Sequence, residues 1–251
     1  MTGVFHHIYF LPWIGFFTKL EYVDFYVVLD DVGFRRNHIK RVKLLNAQGD
    51  EFWLCLPVGN NWGQLCNTIK LPQDKKYIHK HLTTIQHSYG NATYFGEIYP
   101  FFKEIYTKGL MENSKLVDAN LSLLIDIRNF IDLKPIKIIK SSNFNHMVDR
   151  TERIISISKE LNIKEIIIGG GKMKEVHDIE LIRKNHIDLL IQDVKQNVVV
   201  YKQIQIERNN KEFVYGLSIL DILFNLGKDK TKEIILRNEY IPRKLEVLCQ
   251  S

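Results

Sequence analysis

The sequence predicts an α/β protein in which a mainly parallel sheet is flanked by helices. Residues 25–29, Phe-Tyr-Val-Val-Leu, are apolar without alternation, which is typical of a strand buried on both faces. Between residues 149 and 192, helical and strand patterns alternate in the rhythm of parallel βαβ units. No linker rich in Pro, Gly or Ser interrupts the chain. We therefore expect one compact Rossmann-like unit over residues 1–251, as a single body or as two lobes at 1–140 and 141–240.

In the first half of the chain, apolar spacing predicts two helices. Isoleucine and leucine recur at intervals of four and three residues over 77–89, and a clearer apolar stripe spans 117–131. Pro135 lies just beyond the second helix, where a proline is common. Short β-rich runs at 52–58 and 136–139 predict strands on either side of these helices.

The second half begins with a capped helix. Asp149 and Glu152 form a start similar to a capping box, with Asp in place of the usual Ser or Thr. Gly227 is a suitable residue to end the last helix. The predicted segments are the helix 154–161, the strand 165–168, the helix 178–184, the strand 187–192 and the helix 218–225.

The composition is that of an ordinary globular protein with a basic surface. Hydrophobic residues make up 45% and charged residues 25%, so neither disorder nor a fibrous repeat is expected. The net charge of +6 favours anionic partners such as nucleotide-linked metabolites, phosphate or nucleic acid. A lysine excess that only aids solubility explains the charge equally well. The chain carries no RRM or KH signature of RNA binding.

Cysteine usage and hydropathy indicate a cytoplasmic protein without a membrane span. Cys55, Cys66 and Cys249 are odd in number and lack paired metal-ligand spacing, so a reducing compartment is the simpler interpretation. The most apolar early run, 8–17, is broken by Pro12 and is far shorter than the ~20 residues that cross a bilayer. The start of the chain lacks the basic residues that open a signal peptide.

Two histidine pairs are candidates for chemistry. His6 and His7 precede an aromatic segment, and neighbouring residues of a strand face opposite sides, so only one is expected to face a cleft. A surface histidine, or one satisfied in the core, is the ordinary alternative. His79 and His81 form a His-x-His pair, but on a helix they diverge by roughly half a turn. Since no Cys or carboxylate partner has metal-ligand spacing, we expect no structural zinc site.

Polar and glycine residues that follow predicted strands are candidates for a ligand site, because ligands gather at the carboxyl ends of strands in open α/β sheets. Asp30 and Asp31 could bind a sugar hydroxyl, a metal or a substrate amine, or only cap a turn or a helix. Gly169, Gly170 and Gly171 could let the backbone approach a phosphate. This triplet matches neither GxGxxG nor a P-loop.

An ordered set of segments carries a family pattern. His6 to Lys19 reads HHIYFLPWIGFFTK against HQPNYLPWxGYFxK, and residues 24–34 read DFYVVLDDVGF against DxFVxLDDVQF. Further matches are Arg41 of NRNxI, 53–58 of WLTVPV, Lys80-His81 with Tyr89, Ser141-Ser142, Thr151-Glu152-Arg153 of STERL, 168–171 of SGxGG, Tyr201-Lys202-Gln203 of YxQ and 217–227 of LSxIDLLFNxG. Over residues 6–227 the chain thus resembles the WbqC-like family of bacterial surface-polysaccharide biosynthesis.

The chain departs from that pattern at positions expected near a site. His7 and Ile8 stand where the family has Gln and Pro, and Tyr9 replaces its Asn. Gly33 replaces the Gln of the family's Asp-Val-Gln element, and Tyr215 replaces the Pro before the LS motif. Several of these changes touch residues expected to contact the substrate.

The resemblance implies work on an activated sugar or a glycan precursor of O-antigen or capsule synthesis. The expected reaction is transfer of an acyl or aminoacyl group, from a CoA thioester or a charged tRNA, to the amine of a nucleotide-linked amino sugar. The alternative enzyme is a glycosyltransferase in which Asp30 and Asp31 hold a divalent metal on the diphosphate. A non-catalytic sugar-binding or assembly protein is the third alternative. No required cofactor is evident.

The matched motifs define a predicted site in which distant residues line one cleft. His6, Asp30 and Asp31 are expected to be catalytic, with His6 or an acidic residue accepting the proton of the sugar ammonium. The predicted substrate-binding residues are His7, Tyr9, Trp13, Arg41, His81, Ser141, Arg153, Gly169, Gly170, Gly171 and Gln203. Arginine or backbone amides would hold the diphosphate.

Overall fold

The fold is α/β, as the apolar runs predict, with one large sheet and a separate hairpin. The computed structural model describes residues 1–34, 37–145, 149–169, 177–192, 199–237 and 243–244. The strands are β1 (Thr2–His6), β2 (Phe25–Val28), β3 (Arg41–Leu45), β4 (Glu51–Cys55), β5 (Lys137–Lys140), β6 (Glu165–Gly169), β7 (Asp188–Gln192) and β8 (Arg243–Lys244). The helices are α1 (Ile14–Glu21), α2 (Lys76–Tyr89), α3 (Phe95–Glu112), α4 (Leu116–Phe130), α5 (Arg150–Glu160), α6 (Ile179–Lys184), α7 (Ile204–Arg208) and α8 (Ile219–Leu236).

Within the described ranges, the large sheet has six strands in the order β5-β2-β1-β6-β7-β8. The first five are parallel, and β8 joins the edge antiparallel to β7. The chain builds outward from β1 through β2 to β5, then returns to the other side of β1 with β6 and β7. This is the Rossmann order, and its direction switches between β1 and β6, where open α/β sheets bind ligands.

Strand β2 shows how the sequence buries the sheet on both faces. All four of its residues are buried. Tyr26 and Val28 pack into the larger core, which also takes in residues of α1, α4 and α8. Phe25 and Val27 point the other way, into a second core with residues of α5 and α6. Alternate side chains thus meet helices on opposite faces, which requires an apolar run without polar interruptions.

The predicted helices form, and Asp149 caps α5 by accepting hydrogen bonds from the backbone nitrogens of Thr151 at 2.8 Å and Glu152 at 3.0 Å. The last helix differs from the prediction because it continues past Gly227 to Leu236. Gly227 is a kink with φ 82° and ψ 176°, so it interrupts the helix rather than ending it.

Segments from both sides of the predicted lobe boundary at residue 140 contribute to one sheet, because Thr2 and Gly3 of β1 pair with Glu165 and Ile166 of β6. The hairpin β3–β4 stands apart as an antiparallel pair. No helix in the described part of the chain is both long and apolar enough to cross a bilayer.

Candidate functional site

Several predicted site residues meet at the carboxyl edge of the parallel sheet. His6 is the last residue of β1, and Gly169 is the last residue of β6. Asp30 and Asp31 follow β2, and Ser141 follows β5. Because these four strands run parallel, their ends lie at the same edge. We call the group of His6, Asp30, Asp31, Ser141 and Arg153 the edge cluster.

Asp30 is the fixed carboxylate of the edge cluster. It is 1% exposed and accepts hydrogen bonds from the backbone nitrogen of Ser142 at 3.0 Å and from its hydroxyl at 2.8 Å. Longer bonds come from the Ser141 hydroxyl at 3.3 Å and the Asn67 amide at 3.4 Å. These four donors use most of the acceptor capacity of a carboxylate. Asp30 therefore positions the loops after β2 and β5.

Asp31 is the more accessible carboxylate. It accepts a short hydrogen bond from the Ser141 hydroxyl and lies 3.4 Å from Nη1 of Arg153. Its side chain is 16% exposed and that of Arg153 is 15% exposed. The Nε of Arg153 is buried without a hydrogen-bond partner among the described residues.

The ring of His6 is oriented by its own neighbour. Its Nδ1 lies 2.8 Å from the backbone carbonyl oxygen of His7. Since a carbonyl only accepts, Nδ1 carries the proton, and in the neutral ring Nε2 holds the lone pair that a general base needs. Tyr9 contacts the ring edge to face at a centroid distance of 4.8 Å, and Phe16 does so at 5.4 Å. The His6 ring is thus held at the carboxyl edge of the sheet, with Nδ1 as the donor to the His7 carbonyl oxygen.

Cys66 lies beside the aspartates but is not suited to act as a nucleophile. Burial and the nearby Asp30 carboxylate raise the pKa of its thiol to about 11. Only the thiolate is an effective nucleophile, and this thiol stays protonated at neutral pH.

A cavity of about 540 Å³ lies next to Tyr9, the residue whose ring contacts His6 of the edge cluster. Its lining residues are Tyr9, Phe10, Pro12, Trp13, His38, Arg41, Val42, Lys43, Glu51, Trp53, Tyr215, Gly216 and Ser218, and we call it the aromatic cleft. It contains three of the predicted substrate-binding residues, namely Tyr9, Trp13 and Arg41. Tyr9 therefore contacts both His6 and the cleft.

The hairpin β3–β4 supplies the charged wall of the aromatic cleft. The guanidinium of Arg41 lies over the Trp53 ring, 4.1 Å from its centroid. Lys43 and Glu51 form an ion pair at 3.0 Å. The Nε of Arg41 is buried and finds no hydrogen-bond partner within the described ranges.

The sequence-based prediction missed His38, Trp53 and Tyr215 as cleft residues. In the hairpin register, Lys43 is opposite Trp53. Side chains two apart on a strand share a face, so Arg41 and Lys43 point to the same side. Recognising β3 and β4 as a hairpin would have grouped Arg41, Lys43, Glu51 and Trp53. Tyr215 carried a different signal, since it replaces the proline expected before the LS motif.

Two predicted site residues lie in the packed interior instead. His81 is 9% exposed on α2, and its Nδ1 is 2.6 Å from the Tyr106 hydroxyl. Gln203 is 2% exposed, and its amide donates to Asp221 at 3.1 Å and to the Val214 carbonyl at 2.9 Å. Neither lines the aromatic cleft. Both side chains are buried and have hydrogen-bond partners within the protein.

The remaining predictions concern the ends of β1 and β6. His7 is partly buried beside His6, with ring centroids 6.4 Å apart. Gly169 is exposed, and a Cβ placed there would have no atom of the described residues within 4 Å. Gly170 and Gly171 lie outside the described residues.

Among the described residues, no group of three or more His, Cys, Asp or Glu side chains is placed to hold an ion. The Ser141 hydroxyl has one proton, and its shorter contact is with Asp31, so its 3.3 Å contact with Asp30 is the weaker one.

Comparison with known proteins gives the family. The chain is similar to the Mycobacterium tuberculosis (strain ATCC 25618 / H37Rv) protein Rv1507c, whose name describes it as uncharacterized. The two are 23% identical over 227 residues, which cover 88% of this chain and 91% of the relative. No solved structure matches. The model of the WbqC-like protein family matches residues 8–233, and the chain belongs to that family.

Proposed function

We propose that this protein is a cytoplasmic transferase of O-antigen or capsule synthesis that acylates the amine of a nucleotide-linked amino sugar. The observation that carries the proposal is the position of His6. Its ring lies at the switch point of a Rossmann-ordered sheet, with Nδ1 facing a carbonyl oxygen, next to a cleft that is lined by Arg41. The net charge of +6 suits a diphosphate ligand.

The edge cluster contains the groups that such a reaction needs. An ammonium must lose a proton before its nitrogen can attack the carbonyl carbon of the acyl donor. Nε2 of His6 accepts that proton and releases it to solvent, and the free amine then attacks. A C–N bond forms, and the C–S bond of a thioester or the C–O bond of a charged tRNA breaks. His6 takes the second proton from the acylated nitrogen and passes it to the departing sulfur or oxygen. A general base of this kind typically contributes about 10²–10⁴-fold.

Asp31 and Arg153 would orient the sugar rather than move protons. The partly exposed Asp31 carboxylate can accept a hydrogen bond from the ammonium or a sugar hydroxyl. Arg153 holds that carboxylate from α5.

The second candidate is a glycosyltransferase, which the adjacency of Asp30 and Asp31 at the sheet edge favours. There the carboxylates would hold a divalent metal on the diphosphate. The four hydrogen bonds that Asp30 accepts argue against it, because they compete with metal coordination. A non-catalytic sugar-binding protein would bind the same ligand without turnover.

An assay with purified protein separates the three candidates. Nucleoside-diphosphate amino sugars are incubated with acetyl-CoA or with charged tRNA, and products are followed by mass spectrometry. We expect the sugar nucleotide to gain the mass of one acyl or aminoacyl group. The reaction should proceed in the presence of EDTA and should require a free amine on the sugar. Metal-dependent release of the nucleoside diphosphate would indicate the glycosyltransferase instead. Ligand binding without any product would indicate the non-catalytic alternative.

A further inference from the structure

We propose that the aromatic cleft binds the nucleoside diphosphate of the substrate, with the base stacked on Trp53 and the phosphates at Arg41. The sugar then extends past Tyr9 to His6. This assignment rests on the proposed function for the identity of the substrate, and it goes further by giving the cleft and the edge cluster separate tasks. The cleft would recognise the nucleotide, and the edge cluster would act on the sugar.

Arg41 supplies the anion-binding group. Its Nε is buried without a hydrogen-bond partner in the described part of the chain. Among the described lining residues, the one carboxylate is that of Glu51, and it is paired with Lys43 at 3.0 Å. The Arg41 side chain forms part of the cleft lining, where the terminal nitrogens of a guanidinium can donate to an anionic ligand. A diphosphate matches its charge and its fork of donors.

Trp53 supplies the surface for the base. Arg41 covers the indole at 4.1 Å, and the His38 ring lies 5.7 Å away, so the indole is held in place. Even so, 41% of Trp53 is exposed on strand β4. A large aromatic side chain fixed in this way at the wall of a cavity is a stacking platform, and a heteroaromatic base is a planar partner for it.

The size and direction of the cleft agree with this arrangement. A cavity of about 540 Å³ lies within the range of sites for small ligands. Tyr9 forms part of its lining and contacts the His6 ring at 4.8 Å. A ligand with its base on Trp53 can therefore place its far end against the edge cluster without leaving the protein surface.

Binding measurements with nucleotides alone test the assignment, because they need no acyl donor and no amino sugar. Calorimetry with UDP, dTDP, GDP and ADP should show binding of at least one of the first three. Trp53→Leu removes the π-face but keeps an apolar side chain, and it should weaken that binding about five- to 150-fold. Trp53→Phe should retain most of it. Trp62→Leu is the matched control, since Trp62 is 67% exposed and lies outside the cleft.

The role of Arg41 is tested by comparing each diphosphate with its nucleoside. Arg41→Ala should weaken the diphosphate about ten-fold or more and leave the nucleoside nearly unchanged. Melting curves establish that each variant is folded. Arg41→Gln replaces Arg41→Ala if the latter does not fold.

Several outcomes would overturn the assignment. These are no nucleotide binding at millimolar concentration, preference for ADP alone, binding of the free sugar in place of the nucleotide, or equal effects of Trp53→Leu and Trp62→Leu. Preference for ADP would indicate that the cleft binds the adenosine of the acyl donor. Nucleotide binding that depends on Trp53, without acyl transfer, would support the assignment while the proposed reaction fails. If acyl transfer occurs but nucleotide binding does not depend on Trp53, the assignment of the cleft is overturned and the proposed reaction stands.

Discussion

At the scale of single residues, identical side chains have different tasks because of their hydrogen bonds. Asp30 and Asp31 are neighbours in sequence and look equivalent there. In the structure Asp30 is buried under four donors, whereas Asp31 keeps an accessible carboxylate beside Arg153. His6 is similarly distinguished from His81, which packs against Tyr106. Sequence patterns identify the residue type, but only the fold determines which copy faces a ligand.

His81 gives a prediction for the pH dependence of stability. Burial lowers its pKa to about 4, below the ~6.5 of an unfolded histidine. The stabilising contribution is therefore complete above about pH 6.5 and is lost as the pH falls towards 4, by up to about 3 kcal/mol. Urea unfolding at several pH values should show that the free energy of unfolding falls less on acidification for His81→Gln than for the wild type. His79→Gln, at an exposed position, should behave as the wild type. The same dependence of the free energy of unfolding on pH in all three proteins would refute the explanation.

At the scale of elements, the sequence predicts those parts of the fold that have a strong hydrophobic period. β2, α4 and α5 are visible because each buries a regular set of apolar residues. The convergence of His6 with the aspartates was also predictable, since parallel strands end at one edge. The hairpin β3–β4 was not recognised as a pair because β4 alone was predicted as a strand, while Arg41 and Lys43 make β3 resemble a polar segment. The aromatic cleft was missed with it, since its wall depends on hairpin register.

Gly227 in α8 gives a prediction for element stability. Its φ of 82° is unfavourable for other residues, and a Cβ there would lie 2.7 Å from the Tyr94 ring. Gly227→Ala should therefore reduce the free energy of unfolding by about 2 kcal/mol or more. Gly96→Ala is the control, because Gly96 lies in α3 with open space around it and gains helix propensity of up to about 1 kcal/mol. Equal denaturation midpoints for the two variants would contradict the strained kink.

At the scale of the whole molecule, two structural units build one candidate site. The parallel sheet brings His6, Asp31 and Ser141 to its carboxyl edge, and the hairpin adds a cleft with Arg41 and Trp53. Tyr9 joins them, because it contacts the His6 ring and lines the cleft. A ligand with an anionic aromatic end and a reactive polar end fits this division.

The most direct test of the account is turnover and melting measured on one preparation of His6→Gln. Glutamine is similar in size and forms hydrogen bonds, but it cannot accept the proton of the ammonium. We predict a melting temperature close to the wild type and a turnover of the nucleotide-linked amino sugar reduced about 100-fold or more. His79→Gln, at an exposed position of α2, should change neither quantity. A lower melting temperature with full turnover per folded molecule would show that His6 is only structural and would contradict the account.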